Sequence, residues 1–127
     1  MNHADLQAWL DRYVEAWRTN ERAPIEALFT ADIVYRFRPY SSEHEEVGID
    51  AVVEDWLGGS RDEPDAWDAT YEPFAVDGDR AVATGYSHYL AGPLGPERMF
   101  HNVFLMRFAP DKRCAEFTEL YMQEEMA

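Results

Sequence analysis

The chain has 127 residues, room for one domain spanning 1–127 around one core. Its 25 acidic residues against 11 basic ones give a formal net charge of −14, a field that repels phosphate backbones and anionic lipid surfaces and so excludes nucleic acid and membrane as partners. Hydrophobic residues at 46% and aromatic residues at 14% exclude a disordered chain and supply a core with space for a pocket.

Leu6, Trp9, Leu10, Tyr13, Val14 and Trp17 recur at i, i+3, i+4 and i+7, which predicts an amphipathic helix with Asp5, Asp11, Arg12, Glu15 and Arg18 on its wet side. Pro24 suits the first turn of a second, short helix that turns Ile25, Leu28 and Phe29 inward. Residues 32–39 alternate Ile33, Tyr35 and Phe37 with Val34, Arg36 and Arg38 and predict a strand. Glu43-His44-Glu45-Glu46 reads as a solvated, carboxylate-rich loop. Gly48 precedes a third helix with Ile49, Val52, Val53, Trp56 and Leu57 on one face, stopped by Gly58-Gly59. Trp67, Ala69, Tyr71, Phe74 and Val76 predict a strand bulged at Pro73, and Asp77-Gly78 a hairpin turn. Strands follow over 81–90, 98–108 and 113–123, with a longer turn at 91–96. Helix, helix, strand, helix and then four strands make an α+β fold, three N-terminal helices covering one face of a curved, mostly antiparallel sheet.

No apolar run approaches the roughly 18 residues of a membrane helix. The start Met1-Asn2-His3-Ala4-Asp5 lacks a secretory leader's basic and apolar stretches, and the single cysteine, Cys114, can close no internal disulfide; the expected location is cytoplasmic. At a strand start, Cys114 reads as a packing residue rather than a nucleophile. His3, His44, His88 and His101 have no close paired spacing, so no metal is expected. The one Gly-Gly follows a helix rather than a strand, and no serine sits in a glycine elbow, so neither a phosphate cofactor nor a serine nucleophile is expected.

The stretch Arg12-Tyr13-Val14-Glu15 and the run from Ile25 to Asp32 resemble the opening helices, and the turn into the first strand, of the SnoaL-like branch of the nuclear-transport-factor-2-like (NTF2-like) superfamily. Residues 103–108 and 114–121 resemble its last two strands. The resemblance spans nearly the whole chain and implies a cone whose interior takes a small molecule. The superfamily includes ketosteroid isomerases, scytalone dehydratase, limonene epoxide hydrolase, polyketide cyclases and members without chemistry, so fold does not decide function. It implies a small, largely apolar ligand, handled by a cofactor-free acid–base enzyme of isomerase, cyclase, dehydratase or hydrolase type, by a carrier or sensor, or by a dimerisation scaffold with a filled pocket.

Ketosteroid isomerase activity is excluded by residue type. Tyr13 falls at that family's enolate-stabilising tyrosine, but Arg38 stands before Pro39 where the general-base aspartate belongs, and Phe104 replaces the second oxyanion donor. A cation abstracts no proton from carbon, and a phenyl ring donates no hydrogen bond. The same resemblance implies a register: Val34, Arg36 and Arg38 inward on the first strand, Thr84, Tyr86 and His88 on the hairpin strand, Asn102, Phe104 and Met106 on the next, and Phe117, Glu119 and Tyr121 on the last.

The implied catalytic set is Glu119 or His88 moving a proton, with Arg38 and Tyr13 orienting the substrate or stabilising charge. The implied ligand-binding residues are Arg36, Tyr86, Asn102, Phe104, Phe117 and Tyr121. Each has a plainer alternative: a structural ion pair between Glu119 and Arg36 or Arg38, a satisfied strand histidine at His88, a core tyrosine at Tyr13, a backbone-bonding Asn102. His101 belongs at the surface or an interface. Hydrophobicity alone sends Tyr35 and Phe37 to the core and the arginines to water. The implied register sends the rings outward, against a second copy in a homodimer formed through the convex sheet face.

Overall fold

In this computed structural model, which describes residues 1–40, 43, 45–58, 66–92 and 95–125, a capping box opens helix α1 (His3–Thr19): the Asn2 side chain accepts from the Asp5 amide at 2.8 Å, and the Asp5 carboxylate accepts from the Asn2 amide at 3.1 Å. Asn20 ends the helix in the left-handed conformation. The predicted stripe is the buried one, with Leu6, Trp9, Leu10 and Tyr13 all inside. Helix α2 (Arg22–Glu26) buries Ile25, and α3 (Ile49–Gly58) buries Val52 and Val53. The predicted stop at Gly58-Gly59 matches the end of α3 at Gly58; Gly59 lies outside the described residues. Among the described residues no helix is long and apolar enough to cross a membrane.

The strands are β1 (Phe29–Arg36), β2 (Glu46–Val47), β3 (Trp67–Asp77), β4 (Arg80–Tyr89), β5 (Arg98–Phe108) and β6 (Cys114–Gln123). They form one open, curved sheet in the order β2-β1-β6-β5-β4-β3. Every pairing is antiparallel except β1 with β6, which is parallel and sets Tyr35 beside Phe117. Strand β1 begins three residues earlier than its alternation suggests. The two-residue β2, read as loop from its carboxylates, pairs Glu46 with Tyr35. His44 lies outside the described residues, as does part of the 91–96 turn.

Helix α1 lies across the inner face of the sheet. The Trp9 indole is fully buried, donates to the Leu28 carbonyl at 3.0 Å, and meets Phe29 and Phe108 edge-on at 5.9 and 5.5 Å. Burial pushes the Cys114 thiol up, away from thiolate, which fits a packing residue. The bulge falls between Pro73 and Ala75, and the extra residue, Phe74, stands in solvent.

Two strands are turned opposite to the register drawn from the resemblance. On β1, Ile33 and Tyr35 are buried, Arg36 is half-buried on the outer face and Arg38 is exposed beyond the strand. On β4, Ala81, Ala83 and Ser87 are buried, whereas Tyr86 is 39% exposed. Strands β5 and β6 do turn Asn102, Phe104, Met106 and Phe117 inward. Burying two guanidiniums against one acid would cost several kcal/mol per charge, whereas burying a tyrosine and a phenylalanine is favourable.

Strand β4 crosses under Tyr71 only because Gly85 lies there. A Cβ at Gly85 would stand 2.0 Å from the Thr70 carbonyl oxygen and 2.7 Å from the Tyr71 Cα, both backbone atoms. Gly85→Ala is therefore expected to lower the unfolding free energy by about 2 kcal/mol, read as a lower urea midpoint at unchanged slope. An unchanged midpoint would mean that β3 and β4 are not so closely apposed.

Candidate functional site

The inner face of the sheet, α1 and α3 enclose a cavity of about 740 Å³, within the usual range for small-molecule sites. Tyr13 and Trp17 line it from α1, Asp55 and Trp56 from α3, and Tyr35 and Phe37 from β1 and the residues just beyond it. The far wall is built by Tyr71, Ser87 and Tyr89, then Arg98, Phe100 and Asn102, then Glu119, Tyr121 and Gln123. Behind this lining Phe104 and Phe117, 4.8 Å apart and almost fully buried, pack against Tyr71, Tyr13 and Tyr35.

A hydrogen-bonded ladder crosses this wall. The Tyr71 hydroxyl lies 2.5 Å from Ser87 Oγ, Ser87 Oγ donates to Asn102 Oδ1 at 3.0 Å, and Asn102 Nδ2 donates toward Glu119 Oε1 at 3.5 Å. A serine hydroxyl has one proton, and Ser87 gives it to Asn102, so Tyr71 must donate to Ser87. All three donors thus point one way, toward the carboxyl group. The Tyr13 and Tyr35 hydroxyls meet at 3.4 Å on the other side.

Burial pushes the Glu119 carboxyl up to about 7, helped by the charge of Asp55 and opposed by a hydrogen bond from Tyr35. Near neutrality this acid exchanges its proton freely. Burial first, and then the charge of Glu119, holds the Tyr13 hydroxyl well above its ordinary range; Tyr35 is raised in the same way by burial and by Tyr13. Both remain protonated donors. A second acid borders a smaller depression beside Phe37 and Tyr121: burial, then the charge of Asp55 and a hydrogen bond to it, lift Glu46 to about 8.

Of the residues singled out in the sequence, the structure brings Tyr13, Asn102, Glu119 and Tyr121 together around the cavity, whereas Phe104 and Phe117 lie behind its lining, in the aromatic core. Four stand elsewhere. Arg36 pairs with Glu45 at 3.3 Å. Arg38 is exposed and borders a smaller depression with Phe37, Glu45, Glu46 and Tyr121. His88 faces outward and meets Glu97 at 3.3 Å, and Tyr86 shares that outer face. The ion pair foreseen between Glu119 and Arg36 or Arg38 does not form, because the first strand is turned the other way. His101 is exposed and meets Glu124 at 2.9 Å.

Sequence reasoning missed Tyr35, Asp55, Tyr71, Ser87, Tyr89 and Arg98. The signal for Arg98 was present: once Asn102 faces inward, residues 100 and 98 follow by the period of two. Among the described residues, no cluster of three His, Cys, Asp or Glu groups could hold a metal ion.

Residues 10–117 match the sequence profile of the SnoaL-like domain family. Several solved structures share the fold. The CaMKII hub of S. rosetta superposes with a TM-score of 0.69 at 12% identity, over 96% of this chain and 98% of that one. An LEH-like epoxide hydrolase of M. tuberculosis gives 0.67 at 12% identity, over 94% and 84%. An NTF2-like protein of unknown function from Mesorhizobium loti gives 0.62 at 18% identity, over 94% and 93%. No curated protein matches the sequence significantly.

The raised Glu119 carboxyl has a consequence for stability. Between pH 4.5 and about 7 the folded chain keeps a proton that the unfolded chain has released, so raising the pH favours unfolding. Glu119→Gln removes that dependence. Its stability relative to the parent is expected to rise by about 3 kcal/mol from pH 4 to pH 8, measured by urea denaturation at each pH. A difference that stays constant across this range would show that Glu119 titrates normally.

Proposed function

Since this chain belongs to the SnoaL-like domain family, we propose that its cone binds a small, largely apolar, ring-containing molecule and works on it by cofactor-free acid–base chemistry. The observation that carries the proposal is Glu119: a buried carboxyl at the polar end of an aromatic cavity, with its proton poised near neutrality and a ladder of donors aimed at it. When ionised, Glu119 takes a proton from an acidic C–H or from a water. Tyr13 donates to the oxygen on which charge develops, while Tyr35 holds the Glu119 carboxyl in place. Asp55 also faces the cavity, so a second carboxyl group stands within the site beside the reacting molecule. This suits isomerisation, dehydration or hydration, and the likeness of fold to an epoxide hydrolase is in keeping with it.

A carrier or sensor is the second reading, favoured by the fact that the ladder already satisfies Glu119 without a ligand. A homodimer through the outer sheet face and a cytoplasmic location belong to the same proposal. Tyr86 and Leu105, each 39% exposed on that face, support the first, and the single cysteine supports the second. A hub domain of similar fold is in keeping with assembly.

The probe 2-tetralone carries an aromatic ring, a carbonyl oxygen and acidic C–H bonds. Exchange of those hydrogens in deuterium oxide, followed by proton NMR, is expected to be accelerated by the protein, with a rate that rises through about pH 7 and falls at least 100-fold in Glu119→Gln. Saturable binding with no accelerated exchange would leave the carrier reading. Absence of binding would sink the proposal for this class of ligand.

A further inference from the structure

We infer that Arg98 is the anchor for a carboxylate on the ligand, so that the cavity selects elongated aromatic acids over their neutral counterparts. The inference rests on the ligand-binding reading above and specifies its ligand class.

Among the described residues, Arg98 is the only cation that lines the cavity. Its guanidinium stacks over the ring of Tyr89, its cross-strand partner, with the central carbon 4.7 Å from the ring centre. Stacking occupies the flat face of the group and leaves its in-plane N–H edge free, the edge that grips a carboxylate with two parallel bonds. On that edge Nε is buried and makes no hydrogen bond among the described residues. Buried donors are nearly always satisfied, and a buried one that is not points to something missing.

The acids of the chain do not supply it. Among the described residues, Arg36 is paired with Glu45, Arg107 with Glu116 and Arg18 with Asp68. Arg12, Arg38 and Arg80 make no ion pair but stand in solvent. Among the described arginines, Arg98 alone is half-buried, with its Nε out of reach of solvent, and has no carboxylate paired with it. Its sequence neighbour Glu97 is engaged with His88. In a chain with 25 acidic residues, an inward arginine left without one is a place kept for an acid from outside.

The position of Arg98 also sets the length of the ligand. Strand β5 carries Arg98, Phe100, Asn102 and Phe104 along its inner face, and Phe104 is the cross-strand partner of Glu119. Six residues separate the two levels, about 20 Å along an ideal strand. The two long side chains close part of that distance, and rings span the rest: Phe100 packs edge-on against Tyr89 and Tyr121, both at 5.8 Å. A molecule with its carboxylate on Arg98 and its far end at Glu119 therefore needs two linked or fused rings. Its acid group stays at the Arg98 level of β5, six residues from the level of Glu119.

Calorimetric titration of the whole chain with biphenyl-4-carboxylate, biphenyl-4-methanol and biphenyl-4-methylamine tests this. The parent protein is expected to bind the acid at least tenfold more tightly than the alcohol, and the amine most weakly. In Arg98→Gln the acid-to-alcohol ratio should fall to near one, and Arg98→Lys should restore part of it. Should Arg98→Gln fail to fold, the parent's ratio and the lysine variant decide. A parent that binds the alcohol or the amine as tightly as the acid overturns the inference while leaving the cavity reading intact, as does selectivity that persists in Arg98→Gln. Failure of all three probes to bind overturns both.

Discussion

The stack of Tyr35 on Phe117, with centroids 4.7 Å apart and planes 25° apart, joins the first strand to the last across the one parallel pairing of the sheet. Much else follows from it. With Tyr35 inside, the period of two puts Arg36 on the outer face, where Glu45 meets it. Tyr13 then lies against Phe117 at 5.6 Å and brings its hydroxyl to that of Tyr35. The first helix, the first strand and the last strand are thereby locked around one aromatic cluster, and the cavity opens beside it.

The same stack decides the chemistry of Glu119. Had the arginines of the first strand turned inward, a guanidinium beside this carboxyl would have held it ionised and low. Instead its neighbours are hydroxyls, an amide and a second acid, and burial dominates. A carboxyl in such a place spends its time near the balance between acid and base. The ladder from Tyr71 through Ser87 and Asn102 stabilises the ionised form, but through a long final contact of 3.5 Å. Neutral donors polarise the site without fixing its charge, whereas a buried cation would fix it.

Most of the fold was legible in the sequence, because the elements with a strong period are the ones that were built. The α1 stripe, the Asp77-Gly78 turn and the full extent of β5 are local patterns that tertiary contacts reinforce. The two-residue β2 was not legible, since two residues carry no period and its carboxylate was read as wet. The candidate site was half legible. Asn102, Glu119 and Tyr121 came from strands whose large inward residues agree with the resemblance. Strands β1 and β4 failed for a shared reason: register was taken from a family's catalytic positions in a chain lacking the residues that made those positions matter. On β1 plain hydrophobicity had the right answer, and on β4 the inward positions are small, Ala81, Ala83, Gly85 and Ser87, and leave almost no apolar signal.

Those small residues are also what the cavity needs. Gly85 lets Tyr71 lie flat against the sheet, and Ser87 lets the ladder pass beneath the space where a larger side chain would stand. A fold shared at 12% identity by a kinase hub and an epoxide hydrolase says little about what enters it. What distinguishes one such cone from another is which wall positions are emptied and which polar groups are left without partners. In this chain the emptied positions are on β4, the acid is midway along β6 opposite Phe104, and the unsatisfied cation is at the start of β5. The two charges lie at opposite levels of one strand pair, too far apart along it to neutralise one another directly, and that separation is what keeps the acid titratable and the cation open.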